Sequence, residues 1–180
     1  IHGVELEQWR EDGEYILLCG QVQGDAATKD VNLKAWYEHA IEQIKKQTKK
    51  PIIFRPHPDA RKEKPGGCFV DAKPDIRESF EHAHCAITYN SNSGVDAVLA
   101  GVPTITVDQG AMAWDVSAHS FEAINNPYKP DRTQWLNNLA YCQWDEHEIS
   151  SGLAWAHLTN GGRYVDNIDY SAEQFSCNAN

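Results

Sequence analysis

Paired cysteines with metal-binding spacing are missing from this 180-residue chain, whose five cysteines, Cys19, Cys68, Cys85, Cys142 and Cys177, are odd in number and far apart. Neither a CxxC zinc site nor the dense disulfide framework of a small secreted domain is expected. Basic charge is scarce: 16 Lys+Arg stand against 26 Asp+Glu, a net charge of −10. That excludes a broad nucleic-acid-binding face, though not a local basic pocket for one phosphate. No apolar run approaches the ~18 residues of a membrane span, and no charged-then-apolar leader opens the chain. The first residue is Ile rather than Met, so a processed or trimmed start is expected. No G-x-G-x-x-G follows the first apolar run, which excludes an ordinary dinucleotide dehydrogenase. No Asp-x-Asp occurs, so no metal and no cofactor is expected. Cys19 and Cys85 sit inside apolar runs as small hydrophobes, and a reducing cytoplasm is the expected location.

What the sequence does contain is an alternation of short apolar runs and amphipathic stretches. Residues 15–19 form a continuous apolar run that opens into Gly20-Gln21-Val22-Gln23-Gly24, as expected of a buried strand entering a βα loop. Asp30 or Asn32 caps the next element, an amphipathic helix over 33–48 with Leu33, Trp36, Tyr37, Ala40, Ile41 and Ile44 on one face. Lys45, Lys46, Lys49 and Lys50 read as a solvated helix end favoured by the macrodipole. A second strand over 51–54 runs into Arg55-Pro56-His57-Pro58, where the prolines predict an extended turn and no helix. Residues 60–73 read as loop, 77–84 as a short helix and 85–89 as a third strand. Residues 95–100 read as a helix closed by Gly101 and Pro103, and 104–107 as a fourth strand. This pattern predicts an α/β domain, a parallel sheet flanked by helices, whose ligands lie at the carboxyl ends of the strands. Beyond it, Trp135, Leu136, Leu139, Ala140, Trp144, Ile149, Leu153, Trp155 and Leu158 predict a helical C-terminal part with an aromatic core. One domain is expected over 1–158. A loosely ordered tail follows over 159–180, docked in part through Tyr164, Ile168 and Phe175.

Two strand-end segments have the chemistry of a site. In the first, a rigid loop presents His57, a donor to a phosphate oxygen when neutral and an acid toward a leaving phosphate when charged. Arg55 offers beside it a planar fork suited to phosphate. The alternative for His57 is a structural imidazole bonded to its own loop. In the second, Asn90-Ser91-Asn92-Ser93-Gly94-Val95-Asp96 joins a strand to a helix, where free N–H groups and the dipole suit an anion. Ordinary N-capping would use the same residues.

The stretch Ser91-Asn92-Ser93-Gly94-Val95-Asp96-Ala97-Val98-Leu99-Ala100-Gly101-Val102-Pro103, within 85–107, resembles the donor-binding segment of GT-B glycosyltransferases and related sugar-nucleotide epimerases. Taken with His57-Pro58, it is similar to the paired signatures of capsule-polysaccharide, Kdo and bacterial sialic-acid transferases. The resemblance covers about residues 15–110 and implies a Rossmann-like fold forming one half of a GT-B enzyme. It implies a nucleotide-sugar donor and a role in capsule polysaccharide biosynthesis. By the same resemblance His57 contacts the nucleotide and serves as acid, Ser91, Asn92, Ser93 and Gly94 hold phosphate, and Asp96 meets the ribose. An acceptor domain or subunit outside this chain is the implied partner. The competing readings are a sugar-nucleotide epimerase or hydrolase relative, and a non-enzymatic module that binds a nucleotide or a protein partner.

Overall fold

In the computed structural model, which describes residues 5–160, the apolar runs become the strands of one sheet. β1 (Tyr15–Cys19), β2 (Ile52–Arg55), β3 (Phe69–Val70), β4 (Ala83–Thr88) and β5 (Thr104–Thr106) lie in the order β3-β2-β1-β4-β5. Every neighbouring pair is parallel. Successive side chains alternate between the two faces, and both faces are covered. Ile16, Leu18, Ile52, Phe54, Cys85 and Ile87 pack with Leu33, Tyr37, Ala40, Ile41 and Ile44 of helix α1 (Leu33–Gln47). Leu17, Cys19 and Ala86 pack on the other side with Phe80 of α2 (Ile76–Phe80) and Ala97 of α3 (Ser93–Leu99). Each fully buried Leu, Ile or Phe contributes about 1.5–3 kcal/mol. A one-residue slip would exchange the two sets, so the alternation holds the register. The expected α/β sheet with flanking helices is the observed fold.

Three local expectations change. The stretch read as loop over 60–73 contains β3, a two-residue edge strand whose Phe69 and Val70 are both exposed. Its pairing to β2 is tertiary, and two exposed residues give no periodic signal. The turn read as non-helical begins a 3₁₀ turn, Pro58–Ala60, with His57 as its N-cap. Proline is tolerated at a first helical position because its missing N–H has no helical partner there. The helix read over 77–84 stops at Phe80, and β4 already starts at Ala83. Of the two candidate caps, Asn32 accepts from Ala35 N–H at 3.1 Å.

At the amino end of the sheet His84 joins distant segments. Its Nδ1 lies 2.8 Å from the Asp12 carboxylate and its Nε2 lies 2.8 Å from the Ile124 carbonyl. Lys50, the Gly13 N–H and His84 together lower the Asp12 carboxyl to about 2.

One compact unit runs through Trp135 and a second begins at Leu136. Helices α4 (Thr133–Tyr141), α5 (Glu146–Ser150) and α6 (Leu153–Thr159) bear out the helical C-terminal part. Its expected aromatic core is corrected. Trp155 is 71% exposed, Leu158 66% and Ile149 61%. Trp135 is buried within the first unit, its indole N–H donating to Met112 O at 2.8 Å. Among the described residues of the second unit the buried side chain is His157, flanked by the rings of Tyr141 and Trp144. Helices of five and seven residues offer one or two turns each, too little surface to cover an apolar stripe from both sides. The proposed tail anchors Tyr164, Ile168 and Phe175, like Cys177, lie outside the described residues.

Candidate functional site

The strand order turns back between β1 and β4: the chain runs outward from β1 through β2 to β3, then crosses to the other side for β4 and β5. In an open parallel sheet the loops part at such a point and leave a crevice beyond the carboxyl ends of the strands. Gln21, Asn90 and the loop of Asp108 meet there. The Gln21 amide nitrogen donates to Asn90 Oδ1 at 2.7 Å, and its carbonyl oxygen accepts from Asn90 N–H at 3.0 Å and from the Thr88 hydroxyl at 3.4 Å. Asn90 Nδ2 donates to Ala27 O at 3.0 Å and to Asp108 Oδ1 at 3.3 Å. Both amides are thereby oriented, and the loop after β1 is tied across the end of β4.

The Ser-rich turn follows directly. Thr88 Oγ1 accepts from Ser91 N–H at 3.1 Å, and Ser91 Oγ accepts from Ser93 N–H at 3.2 Å. Gly94 N–H donates to Ser91 O, while Val95 and Asp96 N–H donate to Asn92 O. The first-turn donors that an anion would use are thus largely engaged within the turn. Asn92 is exposed and makes no side-chain cap. Ser93 Oγ is buried and has no hydrogen-bond partner among the described residues. Its polar neighbour is the Cys19 thiol, pushed up to about 11 by burial. Gly94 is buried, and a Cβ there would lie 3.2 Å from Thr88 Cγ2 and 3.5 Å from Ala113 Cβ. Its small size therefore serves close packing of α3 on the sheet. Asp96 lies on the opposite flank of α3, in a cleft of about 680 Å³ lined also by Arg10, Arg77, Phe80, Leu99 and Ala100. Desolvation by the cleft walls raises its carboxyl, and Arg77 opposes that shift.

On the β2 side, His57 Nδ1 accepts from Asp59 N–H at 3.2 Å. An acceptor Nδ1 puts the proton of the neutral ring on Nε2. The structural alternative for His57 is therefore met in part, since it caps its own loop, while Nε2 makes no hydrogen bond among the described residues. Arg55 is placed differently from the expected phosphate fork. Its NH1 donates to Asp71 Oδ2 at 2.9 Å, Ser79 Oγ at 2.9 Å and Lys73 O at 3.1 Å, and its NH2 to Pro74 O at 3.3 Å. The Arg55–Asp71 pair is largely buried, and it fastens β2 to the segments leading into and along α2. Burial tends to raise the Asp71 carboxyl, but Ser79, the Lys73 N–H and Arg55 outweigh it and hold the group low.

Gly20 brings the two sides together. Its N–H donates to Arg55 O at 2.7 Å, and a Cβ on it would lie 3.1 Å from that oxygen and 3.2 Å from His57 N. His57 and the Asn90–Ser93 turn thus flank the Gly20–Gln21 step, whereas Asp96 faces its own cleft. Sequence reasoning missed Gln21, Tyr37, Glu63 and Asp108 as parts of this edge. Tyr37 is buried, and its hydroxyl accepts from Gln21 N–H at 2.8 Å. The Glu63 carboxyl lies beside that hydroxyl, and its Oε2 is buried without a hydrogen-bond partner among the described residues. Gln21 and Asp108 do carry a sequence signal, since each lies just past a strand end. Glu63, inside a loop, carries none.

No protein-family model matches this sequence, and no curated protein matches it. Among solved structures it is similar to the Thermosulfurimonas dismutans KpsC, a beta Kdo 2,7 transferase, at 24% identity over 54% of this chain and 34% of that one, with a TM-score of 0.42. The similarity thus spans about a third of that transferase's length. Among the described residues no helix is long and apolar enough to cross a membrane.

Proposed function

We propose that the carboxyl edge of the sheet, at the β1/β4 switch point, binds a phosphorylated nucleotide, and that the chain is the nucleotide-sugar donor domain of a glycosyltransferase. The observation that carries this reading is the convergence of the Asn90–Ser93 turn and the His57 loop on the Gly20–Gln21 step. That is where a doubly wound sheet takes its ligand. His57 supplies an Nε2–H donor, and its charged form can protonate a departing phosphate. The Ser91 hydroxyl and the exposed Asn92 amide are the neutral donors for phosphate, and the buried Ser93 hydroxyl would join them only by turning away from Cys19. Arg55 enters as a positioning residue that holds the β2 end, not as a phosphate ligand. Asp96 would meet a ribose only if the ligand reached around α3. Transfer requires an acceptor, and the implied acceptor domain or subunit lies outside this chain.

A thermal-shift panel of CMP, UDP, GDP, ADP, dTDP and their sugar conjugates tests this reading. The expected result is a saturable rise in Tm for one nucleotide, driven by about 2.7 kcal/mol of stabilisation at a hundredfold excess over Kd, and abolished in His57→Ala with the fold intact. A flat response to the whole panel overturns it. Turnover of a sugar nucleotide without acceptor would favour the epimerase or hydrolase relative. The exposed Phe69 and Val70 on edge strand β3 support the second reading, a partner-binding module, since an open edge strand is a pairing surface.

A further inference from the structure

We propose that Gln21 is the positioning residue of this site, a buried bridge that sets the Asn90–Ser93 turn and the His57 loop as one assembly. The inference deepens the nucleotide-site reading and rests on it for its functional consequence. Gln21 is 7% exposed, too buried to be a ligand contact, yet polar, which demands that its bonds be made. Its side chain spends them on the end of β4: the amide nitrogen on Asn90 Oδ1, the carbonyl on the Asn90 N–H and Thr88 hydroxyl. The first two fix both the path of the chain into the Ser-rich turn and the rotamer of Asn90, whose Nδ2 then reaches Ala27 O and Asp108.

The backbone of the same residue faces the other way. Its N–H donates to the Tyr37 hydroxyl at 2.8 Å, and its carbonyl accepts from that hydroxyl at 3.3 Å. Tyr37 carries the connection on, because the Glu63 carboxyl lies beside its hydroxyl. Glu63 belongs to the His57 loop by successive turns: Ala60 N–H donates to His57 O at 2.9 Å and Glu63 N–H to Ala60 O at 3.0 Å. The bonds that Gln21 makes to Asn90, Thr88 and Tyr37 rigidify what they join, and removing one partner leaves the others orphaned. Gln21→Glu keeps the shape and exchanges the Nε2 donor for a second acceptor against Asn90 Oδ1. Asn90 cannot relieve that by flipping, since its oxygen would then face Ala27 O and Asp108.

The test compares Gln21→Glu and Tyr37→Phe with the wild-type chain. The first readout is amide hydrogen exchange in the free protein. Exchange is expected to rise tenfold or more at both Ser91–Ser93 and Asp59–Glu63 in each variant, while Leu17 and Ile87 in the core strands stay protected. A rise confined to the altered residue's neighbours, or one shared equally by the core, overturns the proposal. The second readout is affinity for CMP and UDP. Each variant is expected to bind the recognised nucleotide about tenfold more weakly, and Gln21→Glu combined with His57→Ala to lose less than the product of the single losses. Wild-type affinity with unchanged loop exchange makes Gln21 a packing residue only. If wild type binds no nucleotide, the donor-domain reading falls and the exchange result alone decides the bridge. Should Gln21→Glu fail to fold, Tyr37→Phe, which removes a single oxygen, decides.

Discussion

Arg55 and His57 are two residues apart, yet their side chains have separate roles. The Arg55 guanidinium is enclosed by Asp71, Ser79 and two carbonyls, so Arg55→Ala leaves a buried carboxylate without its partner. The expected cost is about 3–5 kcal/mol, read by denaturant unfolding. Lost nucleotide affinity at unchanged stability would instead return Arg55 to the phosphate. Glu63 gives a pH signature. Burial raises its carboxyl, with Tyr37 and His57 opposing. A carboxyl raised on folding favours the folded state below its unfolded range, and that contribution is lost as pH rises through the folded value. Glu63→Gln removes the penalty of ionising it in place. Its gain in Tm over wild type is therefore expected to be larger near pH 7 than near pH 4, on either side of the ordinary Glu range of about 4.3. An equal difference at both pH values would refute the assignment. His84, with an acceptor at each ring nitrogen, ties Asp12 and Ile124 to the start of β4. Its replacement by Ala is expected to cost about 1–3 kcal/mol, measured by unfolding, with nucleotide binding at the opposite end of the sheet unchanged.

Elements were legible where their signal was local. α1 was readable because five buried residues recur at helical spacing and Asn32 supplies the cap; Asn32→Ala is expected to cost about 1 kcal/mol. β1 was readable as a short apolar run between turn residues, and β5 as the short stretch that follows the Gly101–Pro103 stop. β3 was not, because its two exposed residues are a strand only by pairing with β2. The 3₁₀ turn after His57 was hidden by the prolines that also start it. Between elements, the close approach of β1 to the His57 loop depends on Gly20. A Cβ there meets Phe54 Cζ at 3.0 Å and two backbone atoms that cannot swing away. Gly20→Ala is expected to destabilise by about 1–3 kcal/mol through overpacking and to displace the His57 loop, visible as shifted amide resonances over 55–60. Loss of stability with those resonances unmoved would assign Gly20 to packing alone.

For the molecule as a whole, charge and patterning gave the coarse outcome. A net charge of −10 leads to the expectation that duplex DNA does not bind at 150 mM salt in fluorescence anisotropy; a saturable DNA signal would contradict it. Composition and the alternation of apolar runs with amphipathic stretches determined the α/β class and the parallel sheet, because burial of both sheet faces follows directly from those periods. They also placed the site segments at strand ends, since that position is set by chain order. Tertiary structure decided which strand-end side chains stay available. It turned Arg55 into a brace, sent Asp96 to another cleft, used Gly94 for packing and buried Gln21 as a bridge between loops. Those outcomes depend on partners distant in sequence, Asp71 for Arg55 and Asn90 for Gln21, and no local pattern specifies a hydrogen bond that only the folded sheet brings within reach.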